Sequence, residues 1–200
     1  MKLILIAFMF LNIANANQEL FSEVKRAIAK MESSDRYNIV NRNGFMGKYQ
    51  FGAMSLVDLG IINKEKYKSL TYTMPTATRK AKVMWRNGLT LNSFVNNPSN
   101  WNINGGKEGF LNSPQIQEDA MDRVLTKNFT ILSNKGFDMS NRSLAKSLLM
   151  ASHFGGITSA INYANNGTEY KDAFGTNISK YYGDNNNASA NKKSIIKFEN

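Results

Sequence analysis

A mainly α fold is what this chain predicts, on three observations. Apolar residues recur at three- and four-residue spacing, almost nothing alternates with period two, and Asn- and Gly-rich joints separate short helical stretches. At 200 residues the chain suits one domain with a real core.

The first stretch stands apart. Lys2 is followed by the apolar run Leu3 to Ile13 and then Ala14-Asn15-Ala16. A charged start, an apolar run too short to span a bilayer and small residues at the −3 and −1 positions predict a secretory signal peptide cut after Ala16. The domain proper is then residues 17–183. Leu20, Val24, Ala27, Ile28 and Met31 predict an amphipathic helix over Gln18 to Met31, with Glu32 at its C-terminal end. An aromatic loop follows. Ala53 to Gly60 resumes a helical pattern, with Gly60 placed as a C′ cap. Thr76 to Arg86 reads as helical behind Pro75, and Leu89 to Gly109, holding Trp101, reads as a loop. Ser113-Pro114 opens a long helix to about Leu132 through Ile116, Ala120, Met121, Val124, Leu125 and Phe129. Ser143 to Phe154 and Ser159 to Asn165 complete the helices, and residues 184–200 read as a flexible polar tail.

With no cysteine, disulfides, thiol catalysis and thiolate metal sites are excluded, and one histidine makes a metal centre unexpected. The formal charge of +10 attracts polyanions. The basic residues are scattered rather than grouped in a nucleic-acid recognition motif, so nucleic acid is not the expected partner. An anionic cell-wall polymer or membrane surface fits better, in the periplasm or outside a bacterial cell. No segment after the signal is apolar enough to span a membrane, and a monomer without cofactor is expected.

The loop MESSDRYNIVNRNGFMGKYQFG, residues 31–52, carries four rings where most connections are short and polar. Such a loop can build a sugar-cleaving cleft. Rings stack on pyranose faces, Gly44, Gly47 and Gly52 let the backbone approach, and the Gln50 amide reads hydroxyl and acetamido groups. Glycosidic cleavage needs a carboxyl kept protonated to donate to the leaving oxygen. Glu32 suits this, because the negative end of its helix and the adjoining apolar stripe both favour a bound proton. Of the rings, Tyr49 is expected nearest the cleft, with the others filling the core beneath.

Glu32-Ser33 followed by Gly47-Lys48-Tyr49-Gln50-Phe51-Gly52 resembles the Glu-Ser and Gly-Leu-Met-Gln motifs of lysozyme-like lytic transglycosylases. Ala151-Ser152-His153-Phe154-Gly155-Gly156 is similar in position to that family's Ala-Tyr-Asn-Ala-Gly motif, with Ser152-His153 where the family has Tyr-Asn. The order and spacing hold from Lys30 to Ile157. The resemblance implies a single lysozyme-like domain acting on peptidoglycan glycan strands. It implies cleavage of the β-1,4 bond between N-acetylmuramic acid and N-acetylglucosamine to a 1,6-anhydro product. Glu32 is then the one general acid and base, Ser33, Tyr49 and Gln50 position the sugar, and His153, Phe154 and Gly155 form the far wall. The orienting role of the family tyrosine would then fall to His153 or to a tyrosine elsewhere; the alternatives for His153 are contact with substrate and burial with a bond to backbone.

Two other functions fit the same residues. A hydrolytic muramidase working by the inverting route needs a second carboxylate about 6.5–9.5 Å from the first to activate water, and Asp35 and Asp58 are nearest in sequence. A non-catalytic glycan-binding or secretion-apparatus protein on the same scaffold needs neither.

Overall fold

The structure, a computed structural model, describes residues 2–75, 82–172 and 174–183, with side chains from residue 17 onward. It is mainly helical. The helices are α1 (Lys2–Glu32), α2 (Ala53–Asp58), α3 (Lys64–Leu70), α4 (Leu91–Val95), α5 (Gly106–Leu111), α6 (Pro114–Asn134), α7 (Arg142–Gly155), α8 (Ile157–Asn166) and α9 (Ser179–Tyr182). A 3₁₀ turn covers Pro98–Asn100, and β1 (Thr71–Met74) pairs antiparallel with β2 (Lys82–Trp85). The backbone of the apolar run Leu3 to Ile13 lies in the first half of α1. Among the described residues no helix is long and apolar enough to cross a membrane. The tail 184–200 lies outside the described residues.

By contacts the chain divides into two compact units, Met1–Ile28 with Asp122–Asn200, and Ala29–Met121. In the first unit α7 packs on α8 and α9. Its buried residues follow the expected stripes: Leu20, Val24 and Ile28 on α1, Leu125 and Leu132 on α6, and Leu144, Leu148 and Leu149 on α7. The Asn141 side chain accepts from Leu144 N at 3.1 Å and caps α7.

The second unit is an aromatic core wrapped by short elements. Phe51, Phe110 and Trp101 meet ring to ring, as do Tyr67, Trp85 and Phe94. Edge and tilted contacts of this kind stabilise beyond the area that they bury. Trp101 is anchored there by its indole N–H, which donates to Val95 O at 2.8 Å, so it is a buried strut of its loop.

The second unit also holds the departures from expectation. Lys82–Trp85, expected to be helical, is a strand; residues 76–81 of that expected helix lie outside the described residues. Pro75 directly follows β1. The side chains decide: all of Thr71-Tyr72-Thr73 and, but for Met84, Val83-Met84-Trp85 are β-branched or aromatic and fit a pleated ribbon. The stretch Leu89 to Gly109, expected as loop, contains α4, the 3₁₀ turn and α5. Polar caps make these short turns possible: Thr90 and Ser93 form a reciprocal capping box on α4. Gly60, by contrast, closes α2 at φ +71° as a C′ glycine should.

Candidate functional site

Helix α1 ends at Glu32, and the chain reverses through Ser34 and Asp35, both left-handed at φ +55° and +64°. Ser33 and Asp35 each donate their amide to Ala29 O at 3.1 Å, which closes the helix. Glu32 is half-buried on its last turn. Ser33 is buried, and its hydroxyl lies 2.7 Å from Lys48 O and 3.3 Å from Ala29 O. The shorter contact joins the two sequence motifs, fifteen residues apart, into one piece of structure.

The second motif is a tight hairpin. Met46 and Phe51 exchange backbone hydrogen bonds of 3.0 and 2.8 Å around the turn Gly47-Lys48-Tyr49-Gln50, while Met46 also bridges to Val40. Gly47 O accepts twice from Gln50, from its backbone N at 3.1 Å and from its side-chain Nε2 at 2.9 Å. Gln50 is buried and held at φ +48°, a left-handed conformation that costs a non-glycine residue of order 1 kcal/mol or more. Strain of that kind persists only where the surroundings over-determine it. Here they do, through two residues that sequence reasoning passed over.

Gln117 and Glu118 sit on the first turns of α6. Gln117 has no exposed surface; its Oε1 accepts from Lys48 N at 2.8 Å, and its Nε2 donates to Phe110 O at 2.8 Å and to Tyr37 O at 3.2 Å. Glu118 Oε1 accepts from Tyr37 Oη at 2.8 Å, from Tyr49 Oη at 2.7 Å and from Lys48 Nζ at 3.2 Å. The signal that could have found Gln117 lies in the helical period. It stands three and four residues before Ala120 and Met121, an amide on a stripe that is otherwise apolar.

The Lys48 ammonium also faces the Tyr37 ring at 4.7 Å from its centroid. Burial acts against this charge, yet hydrogen bonds to Tyr37 and Glu118 outweigh it and raise the pKa above the ordinary lysine value. A raised ammonium pKa stabilises the fold fully below the unfolded value, about 10.4, and that contribution is lost as pH rises through the folded value. The stability gap between wild type and Lys48→Met, from urea midpoints, should therefore hold steady up to about pH 10 and narrow above it. A gap that widens with alkali would contradict the assignment.

The rings of the loop divide differently from expectation. Tyr49, expected nearest a cleft, is wholly buried, because its hydroxyl is drawn inward to Glu118 and its ring meets Phe51 edge-on. Phe45 is instead the exposed ring, at 40% of its surface, with Tyr37 half-buried. Ser33, expected to touch sugar, spends its hydroxyl on backbone. Asp35 and Asp58 are both exposed, Asp35 lying 3.8 Å from Lys48 Nζ.

Glu32, Ser33, Tyr49 and Gln50 are thus gathered within the second unit. Compared with models of protein families, with curated proteins and with solved structures, the chain matches none. The geometry must speak alone. Of the remaining expected residues, His153, Phe154 and Gly155 end α7 in the first unit. His153 is half-buried, and Phe154 stacks on Tyr181 at 4.3 Å with Tyr170 at its edge. A Cβ on Gly155 would come within 3.0 Å of the Tyr170 ring and 3.1 Å of Ile178, so a side chain here would press on both. Surface depressions of this unit, one lined by Glu23, Arg26 and Arg142 and one by Phe174 and Lys180, include none of the residues expected from the sequence.

Proposed function

We propose that this protein is an exported lysozyme-like lytic transglycosylase that cleaves peptidoglycan glycan strands, with Glu32 as its single general acid and base. The observation that carries this is the Ser33 hydroxyl on Lys48 O at 2.7 Å. It fixes the residue beside Glu32 to the turn Gly47-Lys48-Tyr49-Gln50, so the helix end that carries the carboxyl and the aromatic loop form one rigid support. Preorganisation of this kind is what positions an acid against a glycosidic oxygen.

In the proposed reaction the Glu32 carboxyl donates its proton to the oxygen between N-acetylmuramic acid C1 and the N-acetylglucosamine leaving group, and that C–O bond breaks. The Glu32 carboxylate then takes the proton of the muramyl C6 hydroxyl. The C6 oxygen bonds to C1, closing a 1,6-anhydro ring and returning Glu32 to its acid form. Water is not consumed. One carboxyl suffices because the two proton transfers are sequential and opposite. Gln50, expected to read the sugar, is buried with its Nε2 donated to Gly47 O and braces the turn instead, and exposed Phe45 is the ring of this loop offered to a pyranose face.

Digestion of purified sacculi tests the proposal, with product masses as the readout. Anhydro-muramyl ends, one water lighter than reducing ends, are the expected result. Reducing ends would assign a hydrolytic muramidase, which needs a second carboxylate; exposed Asp35 and Asp58, and Glu118 with three donors on one oxygen, are poorly prepared for that role. Sacculus binding without soluble fragments would assign a glycan-binding or secretion-apparatus protein and end the enzymatic reading.

A further inference from the structure

The β1–β2 hairpin of the second unit has two unlike faces. In the register Thr71↔Trp85, Tyr72↔Met84, Thr73↔Val83 and Met74↔Lys82, paired residues share a face and alternate along each strand. Trp85 and buried Thr71 turn one face toward the aromatic core, where Trp85 meets Tyr67 and Phe94. The other face carries Tyr72, Met74, Met84 and Lys82, followed by Arg86, whose guanidinium lies 5.2 Å from the Tyr72 ring centroid. Tyr72 and Met74 expose 40% and 46% of their surfaces, among the largest apolar exposures of the described residues.

The stretch of sequence that holds the hairpin carries charge of one sign. Residues 66–107 contain seven lysines and arginines and no aspartate or glutamate. One of these, Lys68, is engaged at 3.6 Å by Glu65, just outside the run, while Lys82 and Arg86 stand exposed on the ribbon itself. Unbranched apolar chains, an amphipathic tyrosine and long cationic stems form a surface that sinks shallowly into lipid while its charges stay at headgroup level. A soluble polyanion would pair with the cations but leave Tyr72, Met74 and Met84 in water.

We propose that the outer face of this hairpin is a docking surface for an anionic lipid bilayer, the cations meeting phosphate headgroups and Tyr72 and Met74 entering the interface. The inference does not depend on the glycosidase reading.

Sedimentation of the full chain with phosphatidylcholine vesicles, with and without phosphatidylglycerol, tests it. Wild type should pellet with the anionic vesicles alone. Charge reversal in Lys82→Glu/Arg86→Glu should lower the partition coefficient about tenfold or more. Tyr72→Ser/Met74→Ser should leave a weaker binding that modest salt removes. Both pairs of sites are exposed, so unchanged thermal unfolding is expected to certify that the variants are folded. Equal pelleting with both vesicle types, a charge-reversed variant that binds like wild type, or capture by soluble polyglutamate with vesicles left unbound would each overturn it.

Discussion

Glu32→Gln should release no more than about a hundredth of the wild-type muropeptide yield from sacculi, while folding as wild type does. General acid catalysis by a positioned carboxyl contributes roughly 10²–10⁴-fold, and the proposed reaction uses this group twice. The amide is nearly isosteric and cannot donate an acidic proton. Its effect on folding should stay within about 1 kcal/mol, because a carboxylate on the last turn of a helix gains nothing from the dipole there. Glu118→Gln is the informative companion, since it removes another part-buried carboxylate of the same unit. That variant should lose stability, through Tyr37, Tyr49 and Lys48, yet keep at least about a tenth of the activity. Loss of release in Glu118→Gln equal to that in Glu32→Gln, with the fold intact, would show that the chemistry needs two carboxylates.

Gly47→Ala should cost about 2–4 kcal/mol of stability, a large effect for so small a change. Two terms add. Gly47 lies at φ +76°, and an added Cβ would sit 2.2 Å from Gln117 Oε1, an overlap that must displace a fully buried amide. Moving Gln117 also disturbs its bonds to Lys48 N, Phe110 O and Tyr37 O. Gly60→Ala separates the two terms, because Gly60 has nearly the same conformation, φ +71°, with nothing within 4 Å of the added atom. That control should cost only about 1–2 kcal/mol, the left-handed term alone. Denaturant midpoints read both. Equal losses in the two variants would mean that Gln117 yields freely and does not brace the turn.

The long helices were legible because α1, α6 and α7 each run through several turns of a consistent apolar stripe. The short elements other than α2 were not. α3, α4, α5 and α9 hold four to seven residues, too few to display a helical period, and their existence depends on caps and on tertiary contacts. The hairpin was lost to a single ambiguity, since proline before an apolar stretch marks a helix start as readily as a strand end. At the site, Glu32 and Gln50 were singled out as candidates, but neither the burial of Gln50 nor the bond that ties their two motifs together was legible. The bond from Ser33 to Lys48 joins a side chain to a carbonyl, and carbonyls leave no trace in residue type. Tyr49 was misplaced for a related reason: a phenol can face water or a buried acceptor, and the acceptor, Glu118, lies sixty-nine residues away.

Both tryptophans of the chain, Trp85 and Trp101, fall in the second unit, in separate ring groups of its aromatic core. Indole fluorescence is therefore a signal from residues 29–121 alone, and a melt followed by emission near the red edge of excitation will be silent about α7, α8 and α9. Far-ultraviolet dichroism, weighted toward the long helices, sees the rest. If the two transitions fall at different temperatures, the halves of this molecule unfold separately, and the comparison needs no label and no substitution.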